Sequence, residues 1–324
     1  MSTRAQLEEL LAHLNGYRRS CLLSSALKVG LLQALREGPR APEPLAQDLG
    51  LHGPTLVRVI PLLVELGALQ YDGDRVGLTR ASKLLVDGWM SSWGQLIAEE
   101  YVPAWSQLEH SLRSGQASFP VAFGHTVWEH RQAYPQEGAR FQRVMLAVQQ
   151  RVLGALLASY DFSGFSHIVD LGGGEGGLLR GLLEHVPQAR GTLLDRPEVV
   201  AGLSPRAGER WQAVGGDLLQ AIPAGGDLYL LKHVLHNWSD QDCQTILRGC
   251  AQILTDSARL LIVEGLRDPS DPESLWVDLH MLLIHGGRER SLDEFRQLLV
   301  GSGLRLLQHL PMRGGVSVLE VARA

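Results

Sequence analysis

A chain of 324 residues, 45% of them apolar, is long enough for two domains with separate cores. A net charge of −5 without any basic block excludes nucleic acid as the main partner, and no uncharged apolar run reaches the length of a membrane span. The first residues lack a signal-peptide core, and Cys21, Cys243 and Cys250 read as reduced, mostly buried thiols, so the expected location is cytoplasmic.

Residues 7–36 carry leucines and alanines at helical spacing, in two segments broken near Asn15-Gly16. Leu22, Leu23, Ala26, Leu27, Leu31, Leu32 and Leu35 are too many for one narrow stripe. A helix apolar on most of its circumference is buried, and near a chain end this predicts packing against a second subunit, a homodimer. A short helix over 42–50, closed by glycine, a longer one over 55–67, and a hairpin through Asp72-Gly73-Asp74 follow. Helix, helix and β-wing form a winged-helix pattern. Residues 1–100 hold 10 Lys and Arg against 11 Asp and Glu, and the would-be recognition helix offers only Arg58. Phosphate contacts need several cations, so the pattern reads as a dimerisation scaffold and not as a DNA reader.

Residues 89–160 are helical and rich in aromatics, from Trp89 and Trp93 to Tyr134 and Phe141. Most read as core. A minority, with Met145, are candidates to wall an apolar acceptor pocket. From residue 165 the rhythm becomes strand and helix in alternation, with strands over 167–171, 190–194, 211–214, 227–232 and 259–264. A last pair, 304–311 and 315–322, reads as an antiparallel hairpin across Arg313-Gly314-Gly315, and Ser291-Leu-Asp-Glu294 is a capping box announcing the last helix. The expected fold is α/β: a doubly wound, mostly parallel Rossmann-like sheet with an antiparallel terminal hairpin and an N-terminal helical winged-helix domain. The expected domains are 1–100 and 101–324, the latter made of a helical connector over 101–160 and a core over 161–324.

The stretch His167-Ile-Val-Asp-Leu-Gly-Gly-Gly-Glu-Gly-Gly177 reads as strand, tight turn, helix, the arrangement that holds a nucleotide-like cofactor at the edge of a parallel sheet. Gly172-x-Gly174-x-x-Gly177 formally satisfies the dinucleotide fingerprint. The acids argue otherwise. Asp170 and Glu175 flank the turn, Asp195 ends the next strand, and Asp217 follows a Gly-Gly pair after the third. Like charges within a few ångströms cost on the order of 1–4 kcal/mol each, so these carboxylates disfavour a diphosphate. They suit a ribose diol, an ammonium and a sulfonium, which together describe S-adenosylmethionine.

These residues carry a resemblance. Val169-Asp-Leu-Gly-Gly-Gly-Glu-Gly176, Asp195-Arg-Pro-Glu-Val199, Gly216-Asp217-Leu218, Leu231-Lys-His-Val-Leu-His-Asn-Trp-Ser-Asp240, Ile262-Val-Glu264, and Met281-Leu282 followed by Gly286-Gly-Arg-Glu-Arg290 resemble the S-adenosylmethionine-dependent O-methyltransferases of the caffeate and acetylserotonin type. That family includes many natural-product enzymes. The N-terminal pattern looks like its dimerisation domain, so the resemblance covers nearly the whole chain. It implies that His236 is the general base, flanked by Glu264 and Glu289. It also implies that Asp170, Gly172, Gly174, Asp195, Gly216, Asp217, Leu218 and Lys232 line the cofactor site. Met281 and His285 would face a hydroxylated aromatic or polyketide-like acceptor, and S-adenosylhomocysteine would be the product. Where the family usually has His-Asp-Trp, this chain has His236-Asn237-Trp238, which removes a charge beside the base and bears on acceptor recognition.

A phenol of pKa near 10 facing an imidazole near 6.5 is mismatched by about 3.5 units, roughly 5 kcal/mol. Carboxylates beside the imidazole favour its protonated form and narrow that gap, a physical reason for one histidine between two glutamates. His233-x-x-His236, with His280 and His285 further on, could be read as a metal pair. No cysteine or acid cluster completes tetrahedral spacing, and the family it resembles is metal-independent, so no metal is expected. Two alternatives stand beside methyl transfer. One is a family member that binds the cofactor yet hydroxylates, decarboxylates or catalyses a pericyclic step. The other is a winged-helix regulator that senses a ligand.

Overall fold

The computed structural model describes residues 2–205, 208–312 and 315–324. The chain divides into two compact units, Met1–Ser106 with Pro135–Val144, and Gln107–Tyr134 with Met145–Ala324.

In the first unit, helices Thr3–Asn15 and Tyr17–Lys28 meet at Gly16, where the periodicity breaks. Helices Pro42–Asp48 and Gly53–Glu65 follow, then a hairpin of β1 (Leu69–Asp72) and β2 (Arg75–Leu78). Gly73 turns that hairpin with a φ of 63°, a conformation that costs glycine nothing. Two expectations are corrected. Leu27, Leu31, Leu32 and Leu35 are buried in this unit's own core, and beyond Lys28 the chain leaves the α-helix for turns and a 3-10 segment, Gln33–Leu35. They therefore leave no surplus face. Four exposed leucines, Leu7, Leu10, Leu11 and Leu14, lie together on the first helix, and that helix buries no residue. Cys21 is exposed, whereas Cys243 and Cys250 are buried.

The second unit is built on a seven-stranded sheet in the order β5-β4-β3-β6-β7-β9-β8. Its strands are β3 (His167–Leu171), β4 (Arg190–Asp195), β5 (Trp211–Gly215), β6 (Leu228–Lys232), β7 (Arg259–Gly265), β8 (Leu304–Pro311) and β9 (Val316–Arg323). The first five run parallel, and β9 pairs antiparallel with both β7 and β8. Arg313 and Gly314, the expected turn of that hairpin, lie outside the described residues.

Strand pleating sends alternate side chains to opposite faces, and both faces are covered. Val169, Tyr229, Leu231, Leu260 and Ile262 join one core with helices Asp240–Ile253 and Leu292–Val300. Ile168, Leu228, Leu230, Leu261 and Val263 join the other with helix Gly177–His185 and the C-terminal part of helix Pro135–Ser159. Chain order reverses between β3 and β6, and in such sheets ligands bind beyond the carboxyl ends of the strands at that point.

Candidate active site

At the carboxyl end of β3 the chain turns through Gly172, Gly174 and Gly176, with φ of 73°, 63° and 74°. Two glycines are also demanded by space. A Cβ on Gly172 would stand 2.9 Å from Val234 Cγ2, and one on Gly173 would stand 2.3 Å from Asp170 Oδ2. The Asp170 carboxylate is thus folded beneath the turn, fully buried, and Oδ2 has no hydrogen-bond partner among the described residues. Burial, with a smaller push from Asp195 and against the pull of Lys232, raises its pKa to about 7. Lys232 ends β6, the neighbouring strand, and is buried in turn. Desolvation lowers its pKa to about 8 against the opposing effect of Asp170 and Glu264.

Asp195, at the end of β4, accepts the Gly174 N–H at 2.7 Å on Oδ2 and the Arg196 N–H at 2.7 Å on Oδ1. Each carboxylate oxygen keeps lone-pair capacity for a further donor. Gly216 donates its N–H to the Asp195 carbonyl at 2.9 Å, and Leu218 lies against Gly172. Asp217 is exposed and accepts from Leu219 N and Gln220 Nε2. Glu175 sits at half-burial on the turn itself. The residues expected to line one cofactor site do converge on the edge of β3, β4, β5 and β6. Gln149, absent from the expected set, belongs with them. Its Nε2 donates to Gly173 O at 3.3 Å, and a Cβ on Gly177 would meet its Oε1 at 2.5 Å. Met145 lies one helical turn earlier, on helix Pro135–Ser159.

Beyond β6 the chain enters a 3-10 turn, Leu235–Asn237, through His233, which holds a φ of 53°. His236 rides on that turn. Its Nδ1 lies 2.7 Å from Glu289 Oε1 and 3.4 Å from Glu264 Oε2. Glu264 ends the buried part of β7, and its Oε1 accepts the Val234 and Leu235 amides, both at 2.9 Å. So Glu264 anchors the turn with one oxygen and faces the imidazole with the other. Desolvation alone would depress the His236 pKa, but Glu264 and then Glu289 outweigh it and hold the group above its ordinary value. Burial raises Glu264, with His236 pulling the other way. With Nδ1–H donating to Glu289, the Nε2 lone pair remains as the basic site.

The structure thus gathers an acid cluster around a histidine where spacing shows none. Glu264 and Glu289 come from strand and loop segments 28 and 53 residues downstream of His236. His233 lies beside His236 with ring centroids 5.5 Å apart and adds no ligand to the cluster. Asn237 donates its Nδ2 to His233 O at 3.2 Å, which closes the turn from its own side. Met281 and His285 lie on helix Pro272–His285, Met281 buried and His285 with its ring 4.9 Å from Trp128. Burial, followed by Arg131, His236 and His280, pushes His285 well below the ordinary imidazole value, so it is neutral. Two further residues carry weight that spacing alone does not reveal. A Cβ on Gly287 would stand 2.0 Å from the His236 carbonyl oxygen, and Arg290 is fully buried against the same turn. Their signal in the chain is a Gly-Gly pair and a second arginine closing the short segment that holds Glu289.

A glycine turn over a buried acid, an aspartate ending the neighbouring strand and an imidazole between two carboxylates mark this sheet edge as the candidate site of an α/β enzyme fold. Residues 105–305 match the O-methyltransferase domain family. A mitomycin biosynthesis 6-O-methyltransferase of Streptomyces lavendulae is 38% identical over 337 residues, covering 100% of this chain and 97% of that protein. The structure of the mitomycin 7-O-methyltransferase superposes with a TM-score of 0.91 at 36% identity, covering 99% of each chain. An O-methyltransferase from neocarzinostatin biosynthesis, solved with S-adenosylmethionine and 2-hydroxy-5-methyl naphthoic acid, superposes at 0.84 with 29% identity, covering 94% of this chain and 96% of that one. The chain belongs to this O-methyltransferase family, whose member from neocarzinostatin biosynthesis binds S-adenosylmethionine. The site accords with that cofactor on its own terms: Asp170 Oδ2 is a buried acceptor with no donor among the described residues, and the one guanidinium at the turn, Arg180, is engaged by the Glu175 and Gly176 carbonyls.

Proposed function

We propose that this enzyme methylates a hydroxyl of an aromatic or polyketide-like small molecule, with His236 as the general base. The observation that carries the reading is the 2.7 Å contact between His236 Nδ1 and Glu289 Oε1, with Glu264 at 3.4 Å. The cofactor supplies a methyl group on a sulfonium, already a good leaving group. The protein has to align an acceptor oxygen and take up its proton. Glu289 fixes the tautomer that leaves Nε2 free, and both carboxylates stabilise the imidazolium that forms. Asp195 is the acceptor for the ribose diol, and Asp170 faces the cationic end of the methionine moiety. Gly172, Gly174, Gly216 and Leu218 form the close wall, while Lys232 and Asp217 complete the rim. Met145, Asn237, Met281 and His285 face the acceptor.

The likeness to enzymes of mitomycin and naphthoate chemistry supports the acceptor class. The N-terminal segment makes the enzyme a homodimer, with 1–100 as dimerisation domain and 101–324 as methyltransferase domain. No helix among the described residues is long and apolar enough to cross a membrane, which accords with a cytoplasmic enzyme. Radiolabelled S-adenosylmethionine with a panel of phenols and naphthols tests the reading. His236→Ala is expected to lower kcat about 10²–10⁴-fold with cofactor affinity retained. Undiminished turnover in that variant would overturn the assignment of the base.

A further inference from the structure

The loop that brings Glu289 to His236 does more than present a carboxylate. Arg288 donates its N–H to the His236 carbonyl at 2.9 Å, and Gly287 permits that approach because any side chain there would collide with the same oxygen. Glu289 is in turn held by its own N–H on Asp278 Oδ1, at 2.9 Å. Arg290 then reaches back across the turn that carries His236. Its Nη1 donates to Leu235 O at 2.9 Å, its Nη2 to Trp238 O at 2.9 Å, and Nε and Nη2 grip Asp240 Oδ1 at 2.9 and 2.7 Å. One guanidinium therefore bridges the residue before His236, the residue after Asn237 and the first residue of helix Asp240–Ile253. The Leu235 carbonyl also receives Cys243 Sγ at 3.2 Å from behind.

We propose that Arg290 is a positioning residue for the methyl-transfer base, locking the His236 turn and the Glu289 loop into one rigid piece. Its place in the chain makes the point: it is covalently next to Glu289 and hydrogen-bonded to the carbonyl of the residue next to His236. Both halves of the 2.7 Å dyad are thereby set by one planar group. A buried arginine with most of its fork donors engaged has no equivalent in lysine, whose three donors radiate from a single point. A single ammonium in its place could not reproduce the planar fork that reaches Leu235 O, Trp238 O and Asp240 Oδ1 from three separate nitrogens. Asp240 aims the fork, and its half-exposed carboxylate is the fixed end of the device.

The idea rests on His236 acting as the base, and the experiment separates the two claims. Arg290→Lys and Arg290→Gln are prepared in the full chain, with folding checked by circular dichroism and cofactor binding by calorimetry. His236 is titrated by NMR through its ring carbon-bound protons, a readout that needs no turnover. Arg290→Lys keeps the cation, and its loss in Arg290→Gln would by Coulomb's law raise the His236 pKa. Loss of positioning lets the imidazole slip from Glu289 and lowers it. The expected result is a downward titration in both variants, against the Coulombic direction in Arg290→Gln. With it come a kcat lowered ten- to hundred-fold and a KM for S-adenosylmethionine within about two-fold of the parent. If Arg290→Lys does not fold, Arg290→Gln decides alone. Folded variants with an unchanged or raised His236 titration overturn the proposal. His236→Ala turning over normally would instead remove its premise.

Discussion

At the scale of single residues, the chemistry turns on how burial and neighbours redistribute protons. In the proposed mechanism His236 must be neutral to take up a proton, and its pKa stands above the ordinary imidazole value. Activity limited by this group therefore rises with pH through that elevated value, and the acid limb of kcat/KM falls above about 6.5. Replacing Glu289 by glutamine keeps the shape and removes a charge that favours the imidazolium. The acid limb is expected to move to lower pH and kcat to fall at least ten-fold, both read from a single pH–rate profile. An acid limb that stays in place would mean that Glu289 does not set the base. Asp170 runs the other way. Its folded pKa is about 7 against an ordinary 3.8, so ionisation is opposed by the fold. A raised carboxyl pKa costs no stability below about 4, an increasing amount as pH rises to 7, and its full amount beyond. Asp170→Asn is thus expected to raise the apo-enzyme's Tm at pH 8 while leaving it nearly unchanged at pH 4. Its affinity for S-adenosylmethionine should drop ten-fold or more. A variant that loses stability at pH 8 would show the carboxylate to be held for structure and not for the ligand.

At the scale of elements, most strands and the glycine turn were legible because their signals are local. Ile168, Val169 and Leu171 alternate into glycines, and the structure begins and ends β3 at the expected residues. The capping box Ser291–Glu294 was equally legible, since both reciprocal bonds lie within four residues. Other features depend on segments distant in the chain. Nothing near residue 149 signals that Gln149 reaches Gly173, nor near residue 287 that its backbone meets the His236 carbonyl. Proximity between Glu264, Glu289 and His236 came from resemblance, because the spacing of the three carries no periodic clue. Gly287 gives a direct test. An alanine methyl would meet the His236 oxygen at 2.0 Å and main-chain atoms of Asn237 at 2.7 and 2.9 Å, none of which can yield as a flexible side chain would. Gly287→Ala is expected to cost about 1–3 kcal/mol in urea unfolding and to lower kcat more than affinity for the cofactor. Full activity with native stability would show that the loop can retreat without disturbing the base.

At the scale of the whole molecule, the question is what covers the first helix. Seven leucines and alanines of the region after Gly16 promised a surplus of apolar surface, yet those from Ala26 onward are absorbed into the core of their own unit. The surplus sits earlier. Leu7, Leu10, Leu11 and Leu14 are 55%, 61%, 47% and 73% exposed on a helix that buries nothing, and Tyr17 next in line is 62% exposed. Residues at i, i+3, i+4 and i+7 form one stripe along a helix. Thirteen residues of helix with no core contact are marginal in water by themselves, so the element needs a packing partner to persist. An identical chain can supply one, because a two-fold axis sets each apolar stripe against its own copy. Replacing Leu10 and Leu14 together by glutamate places two charges in that stripe and removes no core contact. In sedimentation equilibrium the parent is expected to run at about 71 kDa, twice the 35.5 kDa chain, and the double variant at the mass of one chain. Circular dichroism should show helix lost in an amount close to that of residues 3–15, with the sheet unit's cofactor affinity changed less than two-fold. A parent that sediments as a single chain at micromolar concentration would overturn the homodimer and leave the stripe to another partner.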